Sequence, residues 1–161
     1  MDMYKKSLDT PHCTVEAVLI VKIEIRTIEK CLTALQPAVD QIVVVDTGST
    51  DGTVFSVQNL GIPVHCFKWD DDFAAARNYA LSFAETDWVI SVDADEILYK
   101  EDTDKIRKFA EQYNAVPGTF ALQILQMNIV GDVMSPSRET RMFPLGRGLF
   151  WFGSVPSSGV N

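Results

Sequence analysis

The sequence predicts an α/β protein with a mostly parallel sheet flanked by helices, and with a small antiparallel addition at the C-terminal end. Two features predict this fold. Over residues 15–98, short apolar runs alternate with segments in which apolar residues recur at helical spacing, which is the pattern of consecutive βαβ units. After residue 118, strand-like segments follow one another across a short turn, and so short a connection favours antiparallel pairing.

The first unit begins with the apolar run Val15–Val21, which predicts a buried strand. The helix that follows is predicted from the spacing of Ile25, Ile28, Leu32 and Leu35. Pro37 comes two residues after the last of these, and we expect the helix to end before it.

The second and third strands are predicted at Gln41–Asp46 and at residues 62–67. A short helix lies between them, because the apolar residues within 54–60 share one helical face. Gly61 follows at the position that a helix C-cap prefers. An alanine-rich helix is then predicted over residues 73–84, with aspartates at its N-terminus, where the helix dipole favours them.

The fourth strand, predicted over residues 88–92, runs directly into Asp93, Asp95 and Glu96. Like charges so close together raise each other's pKa unless a cation or a set of donors compensates them. In open α/β sheets, ligands bind beyond the carboxyl ends of the strands, where this cluster would lie. The cluster therefore indicates a site for a divalent metal, and the alternative is an acidic loop that caps the next helix.

The C-terminal part changes character after Leu98. An amphipathic helix is predicted around residues 106–113, followed by strands over residues 119–130 and 140–143 that Gly131-Asp132 separates. The last residues are rich in Gly, Pro and Ser, so we expect residues 144–161 to pack poorly.

The composition predicts one globular domain over residues 1–161, with a flexible N-terminus at 1–13. Apolar residues make up 47% and charged residues 22%, and no apolar run approaches the roughly 18 to 20 residues of a membrane helix. We therefore expect a cytoplasmic protein without a transmembrane segment. The net charge of −8 argues against nucleic acid as a partner.

A second candidate site is the run DTGSTDGT, which starts at Asp46 and joins the second strand to the next helix. Its backbone N–H groups can face an anion or a ribose, and Asp46 can accept hydrogen bonds from a base or a hydroxyl. The run lacks the Walker lysine and the G-x-G-x-x-G spacing, which excludes both of those motifs. The alternative is a tight turn that only caps the helix.

Four motifs together resemble a known family. The segments VLIVKIE, VVVDTGSTDGT, DDFAAARN and WVISVDADE, in this order and at these distances, are similar to the nucleotide-sugar half of family 2 glycosyltransferases with the GT-A, Rossmann-like fold. The resemblance covers residues 15–98 and extends weakly to Arg141-Met142-Phe143, which is similar to an R-x-F motif. It implies an enzyme that binds a UDP-sugar and transfers the sugar with inversion to an acceptor, which the sequence leaves open as glycan, lipid or protein.

The resemblance also implies roles for individual residues. Asp46 would contact the uracil or ribose, Arg77 would lie near the base or diphosphate, and Asp93 would approach the ribose. The full nucleotide-binding set carried over is Glu24, Asp46, Gly48, Ser49, Arg77 and Asp93.

The remaining implied roles concern the metal and the chemistry. Asp95, the last aspartate of the D-x-D motif, would hold Mg²⁺ or Mn²⁺ against the diphosphate, since hard cations prefer carboxylate oxygens. Glu96 is the candidate general base, and its alternative role is to support the metal site. For Arg77 the alternative is a surface salt bridge to the run 70–72.

The sequence also departs from the family pattern. Lys22-Ile23-Glu24-Ile25 stands where members usually have K-N-E-E, and Pro156 and Ser157 stand where the most similar members have the His and Glu of G-x-V-H-E. These departures predict a donor-binding core that is truncated or diverged on its acceptor side. One alternative is therefore a catalytically impaired nucleotide-sugar-binding remnant. A second alternative is a phosphatase of the haloacid dehalogenase type, which also has D-x-D after a strand, although normally after the first strand rather than the fourth.

Overall fold

The structure, a computed structural model, describes residues 12–152 and confirms the predicted α/β fold. A 3₁₀ turn at Lys100–Asp102 precedes the last helix. The elements in chain order are β1 (Val15–Val21), α1 (Ile28–Leu35), β2 (Gln41–Asp46), α2 (Thr53–Asn59), β3 (Val64–Cys66), α3 (Phe73–Leu81), β4 (Trp88–Ser91), α4 (Thr103–Tyr113), β5 (Leu122–Val130) and β6 (Val133–Pro144).

All six strands form one sheet in the order β3-β2-β1-β4-β6-β5. The first four are parallel, and β6 pairs antiparallel with both β4 and β5. The chain adds β2 and β3 on one side of β1 and β4 on the other, so the strand order reverses between β1 and β4. Such a switch point opens a crevice beyond the carboxyl ends of the strands, where ligands bind in sheets of this type.

The central strand β1 is buried on both faces. Ala17 and Leu19 point into a core layer that contains the apolar faces of α1 and α4. Val18 points to the opposite layer, which contains Ala80 of α3. A strand covered on both sides in this way is expected to be mostly apolar, and six of the seven residues of β1 are apolar, the exception being buried Glu16.

Two element boundaries differ from the sequence expectation. Helix α1 begins at Ile28 rather than near Ile25, because the carbonyl of Glu24 accepts hydrogen bonds from Thr27 N–H and Ile28 N–H and forms a turn there. Strand β6 begins at Val133, well before the predicted strand over residues 140–143, because its exposed polar residues pair with β5. The resulting hairpin extends beyond the carboxyl end of β4, since Ile90 is opposite Met142.

The ends of the described chain also pack better than the sequence suggests. Cys13 is buried at 2% exposure, so the expected flexible segment 1–13 does not include it. Leu145, Leu149 and Trp151 lie partly buried against the core layer beside α3, because their large apolar side chains are available for packing between the turn-forming residues. The expectation of poor packing therefore differs from the structure over residues 144–152, and residues 1–11 and 153–161 lie outside the described part. None of the helices between residues 12 and 152 is long and apolar enough to cross a membrane.

Candidate functional site

Three parallel strands deliver predicted site residues to the same edge of the sheet. Glu24 follows β1, Asp46 ends β2, and Asp93 comes two residues after β4. Arg77 reaches this edge from α3, because its guanidinium lies 3.3 Å from Asp93 Oδ1. The structure thus places the candidate nucleotide-binding residues around the switch point.

The carboxylate of Asp46 holds the turn that follows β2. Asp46 is 6% exposed, and its Oδ2 accepts hydrogen bonds from Gly48 N–H and Ser49 N–H, each at 3.0 Å. Gly48 has a φ of 113°, a left-handed conformation that favours glycine. Asp46 therefore makes the tight turn considered from the sequence, and its predicted contact with a base or ribose stays a prediction.

The loop after β2 is tied to the loop after β1. Ser49 Oγ accepts a hydrogen bond from Ile23 N–H at 2.9 Å, and Thr53 Oγ1 accepts one from Glu24 N–H at 2.8 Å. Asp51 Oδ1 accepts from Thr53 N–H at 3.1 Å and so satisfies a free donor in the first turn of α2. These bonds fix the backbone of Glu24 beside the Asp46 turn.

Ile23 lies in this tied region with a φ of 59°. A β-branched residue in the left-handed region is an outlier that costs about 1 to 2 kcal/mol, whereas asparagine adopts that region readily. The family pattern K-N-E-E has asparagine at this position, and the backbone geometry gives a physical reason for it. The departure at Ile23 is therefore a source of local strain.

Replacing Ile23 by asparagine is expected to raise the melting temperature by roughly 2 to 4 °C, which corresponds to about 1 kcal/mol for a chain of this size. The side chain of Ile23 is 54% exposed, so little packing is lost. Ile25→Asn is the matched control, because Ile25 is 42% exposed and is not among the residues with positive φ. An equal change in both variants, measured by thermal denaturation, would contradict the strain at Ile23.

The residues after β4 form a charged network with two arginines. Arg141 Nη2 lies 2.9 Å from Asp93 Oδ2 and 2.5 Å from Glu96 Oε1. Arg77 contacts the other oxygen of Asp93, and Glu96 Oε2 accepts a hydrogen bond from the Asp93 N–H at 2.8 Å. Both carboxylates are thus compensated by donors, which is one of the two solutions that the clustered charges required.

Burial sets the electrostatics of this network. Burial raises the pKa of Glu96 above its ordinary value, although the Asp93 N–H and Arg141 both favour the charged form. Burial opposes the charge on Arg141, but its hydrogen bond to Asp93 and the nearby carboxylates outweigh this effect and raise the pKa of Arg141. Cys31 in α1 donates its S–H to the Asp93 carbonyl at 3.6 Å, and burial with the adjacent carboxylates raises the pKa of Cys31 to about 12.

The network resolves one alternative and adds one residue. Arg77 pairs with Asp93 and not with the run 70–72, in which Asp72 instead caps α3 by accepting from Ala75 N–H at 3.0 Å. Arg141 was noted in the sequence only as part of an R-x-F-like motif. Its contacts with Asp93 and Glu96 depend on β6 lying next to β4, and no local pattern in the sequence indicates that adjacency.

Asp95 differs from its neighbours, because it is exposed and takes no part in the arginine network. Within residues 12–152, no group of three or more His, Cys, Asp or Glu is arranged to hold a metal ion. A metal held by protein alone therefore does not fit. The donor set fits a Mg²⁺-like ion that uses one carboxylate together with substrate phosphates and water, and exposed Asp95 is the carboxylate that would hold it.

Comparisons with known proteins agree with this geometry. The family model described as "Glycosyl transferase family 2" matches residues 17–132, which is well over half of the chain. The SPbeta prophage-derived glycosyltransferase SunS of Bacillus subtilis is 31% identical over 160 residues, which covers 98% of this chain and 37% of SunS. A TPR repeat-containing protein of Synechococcus elongatus is 33% identical over 129 residues, covering 80% of this chain and 31% of that protein.

The solved structure of S. aureus TarS residues 1–349 in complex with UDP superposes with a TM-score of 0.63 at 23% identity, covering 77% of this chain and 38% of that one. This similarity supports the predicted GT-A-like fold. The chain spans about a third of the length of the curated relatives it matches. On the match of the family model, the chain belongs to glycosyl transferase family 2.

Proposed function

We propose that this chain binds the donor of a glycosyltransferase reaction: a UDP-sugar together with Mg²⁺ or Mn²⁺, for inverting transfer to a glycan, lipid or protein acceptor. The observation that carries the proposal is the convergence of Asp46, Arg77 and Asp93 on the switch point of a family 2 sheet. TarS, which shares the fold, has been solved with UDP, and this supports a uridine nucleotide as the ligand.

Each group has a defined task in this proposal. The Asp46 turn and the Glu24 loop would bind the nucleoside, since their backbones are tied together. Arg77 would compensate charge on the diphosphate from the side of α3. A divalent cation would supply Lewis-acid stabilisation of the leaving diphosphate, and Asp95 would hold that cation.

The contacts of Glu96 argue against a role as general base. Each of its oxygens already accepts a hydrogen bond, one from Arg141 and one from the Asp93 N–H, and these donors hold the carboxylate in place and compete with an acceptor hydroxyl for its lone pairs. This geometry favours a supporting role in which Glu96 fixes the turn between Asp93 and Asp95. A second candidate function is a nucleotide-sugar-binding domain with impaired transfer. Two observations favour it: the engaged carboxylate of Glu96, and the replacement of the family's His and Glu by Pro156 and Ser157.

The experiment that tests the donor proposal is thermal denaturation with UDP and Mn²⁺. A ligand at about 100 times its Kd stabilises the native state by about 2.7 kcal/mol, which corresponds to a rise of roughly 5 to 10 °C for a chain of this size. Asp95→Asn keeps the side-chain shape and removes the charge, so we expect it to abolish the increase that depends on metal. UDP with EDTA gives the metal-free reference.

The matched control is Asp132→Asn, because Asp132 is exposed in the turn between β5 and β6 and a turn accepts either residue. This variant should respond like the wild type. Equal responses of the wild type and Asp95→Asn would show that Asp95 does not hold the metal, and the absence of any response to UDP with Mn²⁺ would refute the donor proposal itself.

A further inference from the structure

The segment after β6 returns to the candidate site and binds to α3. Asn78 Nδ2 donates to the carbonyl of Trp151 at 2.8 Å, and Trp151 N–H donates back to Asn78 Oδ1, also at 2.8 Å. The amide side chain thus pairs with both backbone groups of one residue, as a neighbouring strand would. This reciprocal pair fixes where the backbone of Trp151 lies on α3.

The indole of Trp151 covers the guanidinium of Arg77. Arg77 Cζ lies 4.6 Å from the centre of the Trp151 ring, within the range of a cation–π contact. The ring also contacts Phe143 edge to face, with centroids 6.4 Å apart, and Phe143 belongs to the core layer beside α3. The indole is therefore supported from the core side and from the backbone.

A narrow crevice lies beside this contact. The crevice between α3 and the sheet, which Arg77, Asp93 and Trp151 help to line, has a free volume of about 10 Å³, which corresponds to roughly one water molecule. The guanidinium of Arg77 lies between the indole and Asp93, and these two contacts hold a side chain that is 26% exposed. A long arginine side chain loses rotamer entropy when it is held in this way, and that loss is already incurred before a ligand arrives.

We propose that Trp151 and Asn78 are positioning residues for Arg77: Asn78 fixes the backbone of Trp151, and Trp151 holds the guanidinium against Asp93 at the donor site. The consequence for nucleotide affinity rests on the proposed function, whereas the effect on Arg77 itself does not. Trp151 lies outside the four sequence motifs and contacts an arginine inside one of them, and Asn78, the last residue of that same motif, holds the Trp151 backbone.

The first test needs no nucleotide. Phenylglyoxal modifies accessible arginines, and peptide mass spectrometry measures the rate at Arg77, with exposed Arg138 as the internal reference. Trp151→Ala should accelerate modification of Arg77 by about threefold to tenfold, as expected for loss of a cation–π contact. Trp151→Phe keeps an aromatic face and should stay near the wild-type rate, and so should Phe150→Ala, which removes a 68% exposed neighbour.

Asn78→Ala provides a second route to the same result, because it releases the Trp151 backbone without changing the indole and alanine is a good helix former. It should accelerate modification of Arg77 in the same direction as Trp151→Ala, and it decides the matter if the tryptophan variant does not fold. Unchanged modification of Arg77 in folded Asn78→Ala or Trp151→Ala would overturn the proposal.

The second test measures UDP affinity in the presence of Mn²⁺. Trp151→Ala and Asn78→Ala should each weaken binding by about threefold to tenfold, and Trp151→Phe should restore most of the affinity. If the variants show faster modification of Arg77 but even the wild type does not bind UDP, the proposed donor is refuted and the positioning role is supported. Wild-type UDP affinity in Trp151→Ala would overturn the link between Trp151 and the donor site.

Discussion

Replacing Arg141 by methionine is expected to lower the free energy of unfolding by about 2 to 4 kcal/mol. Arg141 is 13% exposed and joins Asp93 to Glu96. Removing one partner of a buried ion pair leaves an uncompensated charge behind, which typically costs about 3 to 5 kcal/mol. The side chain of Asp93 is 41% exposed and is also paired with Arg77, so solvent and the second arginine reduce the cost.

Urea denaturation of the variants measures this effect. Arg138→Met is the matched control, because Arg138 lies exposed on the same strand, and it should change the free energy by no more than about 0.5 kcal/mol. Arg141→Met leaves the charge of Glu96 without its partner. Adding Glu96→Gln removes that charge and should recover part of the lost free energy of unfolding. A loss no greater than that of Arg138→Met would show that the network contributes nothing to stability.

The central strands were predictable for a simple physical reason. Strands β1 and β2 are covered on both faces, so their sequences consist of apolar runs that end where the sheet ends. The outer part of β6 has no such signal, because residues 133–139 are polar or exposed and are held by backbone pairing with β5. Backbone pairing leaves little trace in side-chain pattern, and the strand was therefore predicted too short.

The residues of the candidate site also differ in whether the sequence indicates them. The positions of Asp46, Asp93 and Asp95 at the edge of the sheet could be predicted, because Asp46 is the last residue of β2 and the other two come within four residues after β4. The contact between Arg141 and Asp93 joins residues 48 positions apart, and the pair between Asn78 and Trp151 spans 73 positions. Nothing local in the sequence indicates such partners, which only the order of strands in the sheet brings together.

The same limitation applies to what the carboxylates do. The sequence indicated that the charges after β4 needed compensation and favoured a cation. The structure provides two arginines for Asp93 and Glu96 and leaves Asp95 outside that network. The candidate metal ligand and the candidate supporting residues are thus separated by their contacts, although they are neighbours in the chain.

Replacing Asp46 by alanine is expected to weaken the binding of uridine nucleotides by about 1 to 3 kcal/mol, or roughly 5- to 150-fold in Kd. Two effects contribute to this loss. The charged acceptor for the base or ribose disappears, and the N–H groups of Gly48 and Ser49 lose the oxygen that holds their turn. A single alanine variant therefore does not distinguish contact with the nucleotide from support of the loop.

Asp46→Asn makes that distinction. Its side-chain carbonyl can still accept from Gly48 N–H and Ser49 N–H, so the turn and the melting temperature should remain close to the wild type, while the charge is lost. If Asp46 contacts the nucleotide, isothermal titration calorimetry should show a higher Kd for UDP in both variants. The wild type should bind ADP more weakly than UDP, and the Kd for ADP should hardly change in the variants. If Asp46→Asn binds UDP as tightly as the wild type and only Asp46→Ala loses affinity, Asp46 supports the turn alone. If the wild type binds ADP more tightly than UDP, a uridine donor is refuted.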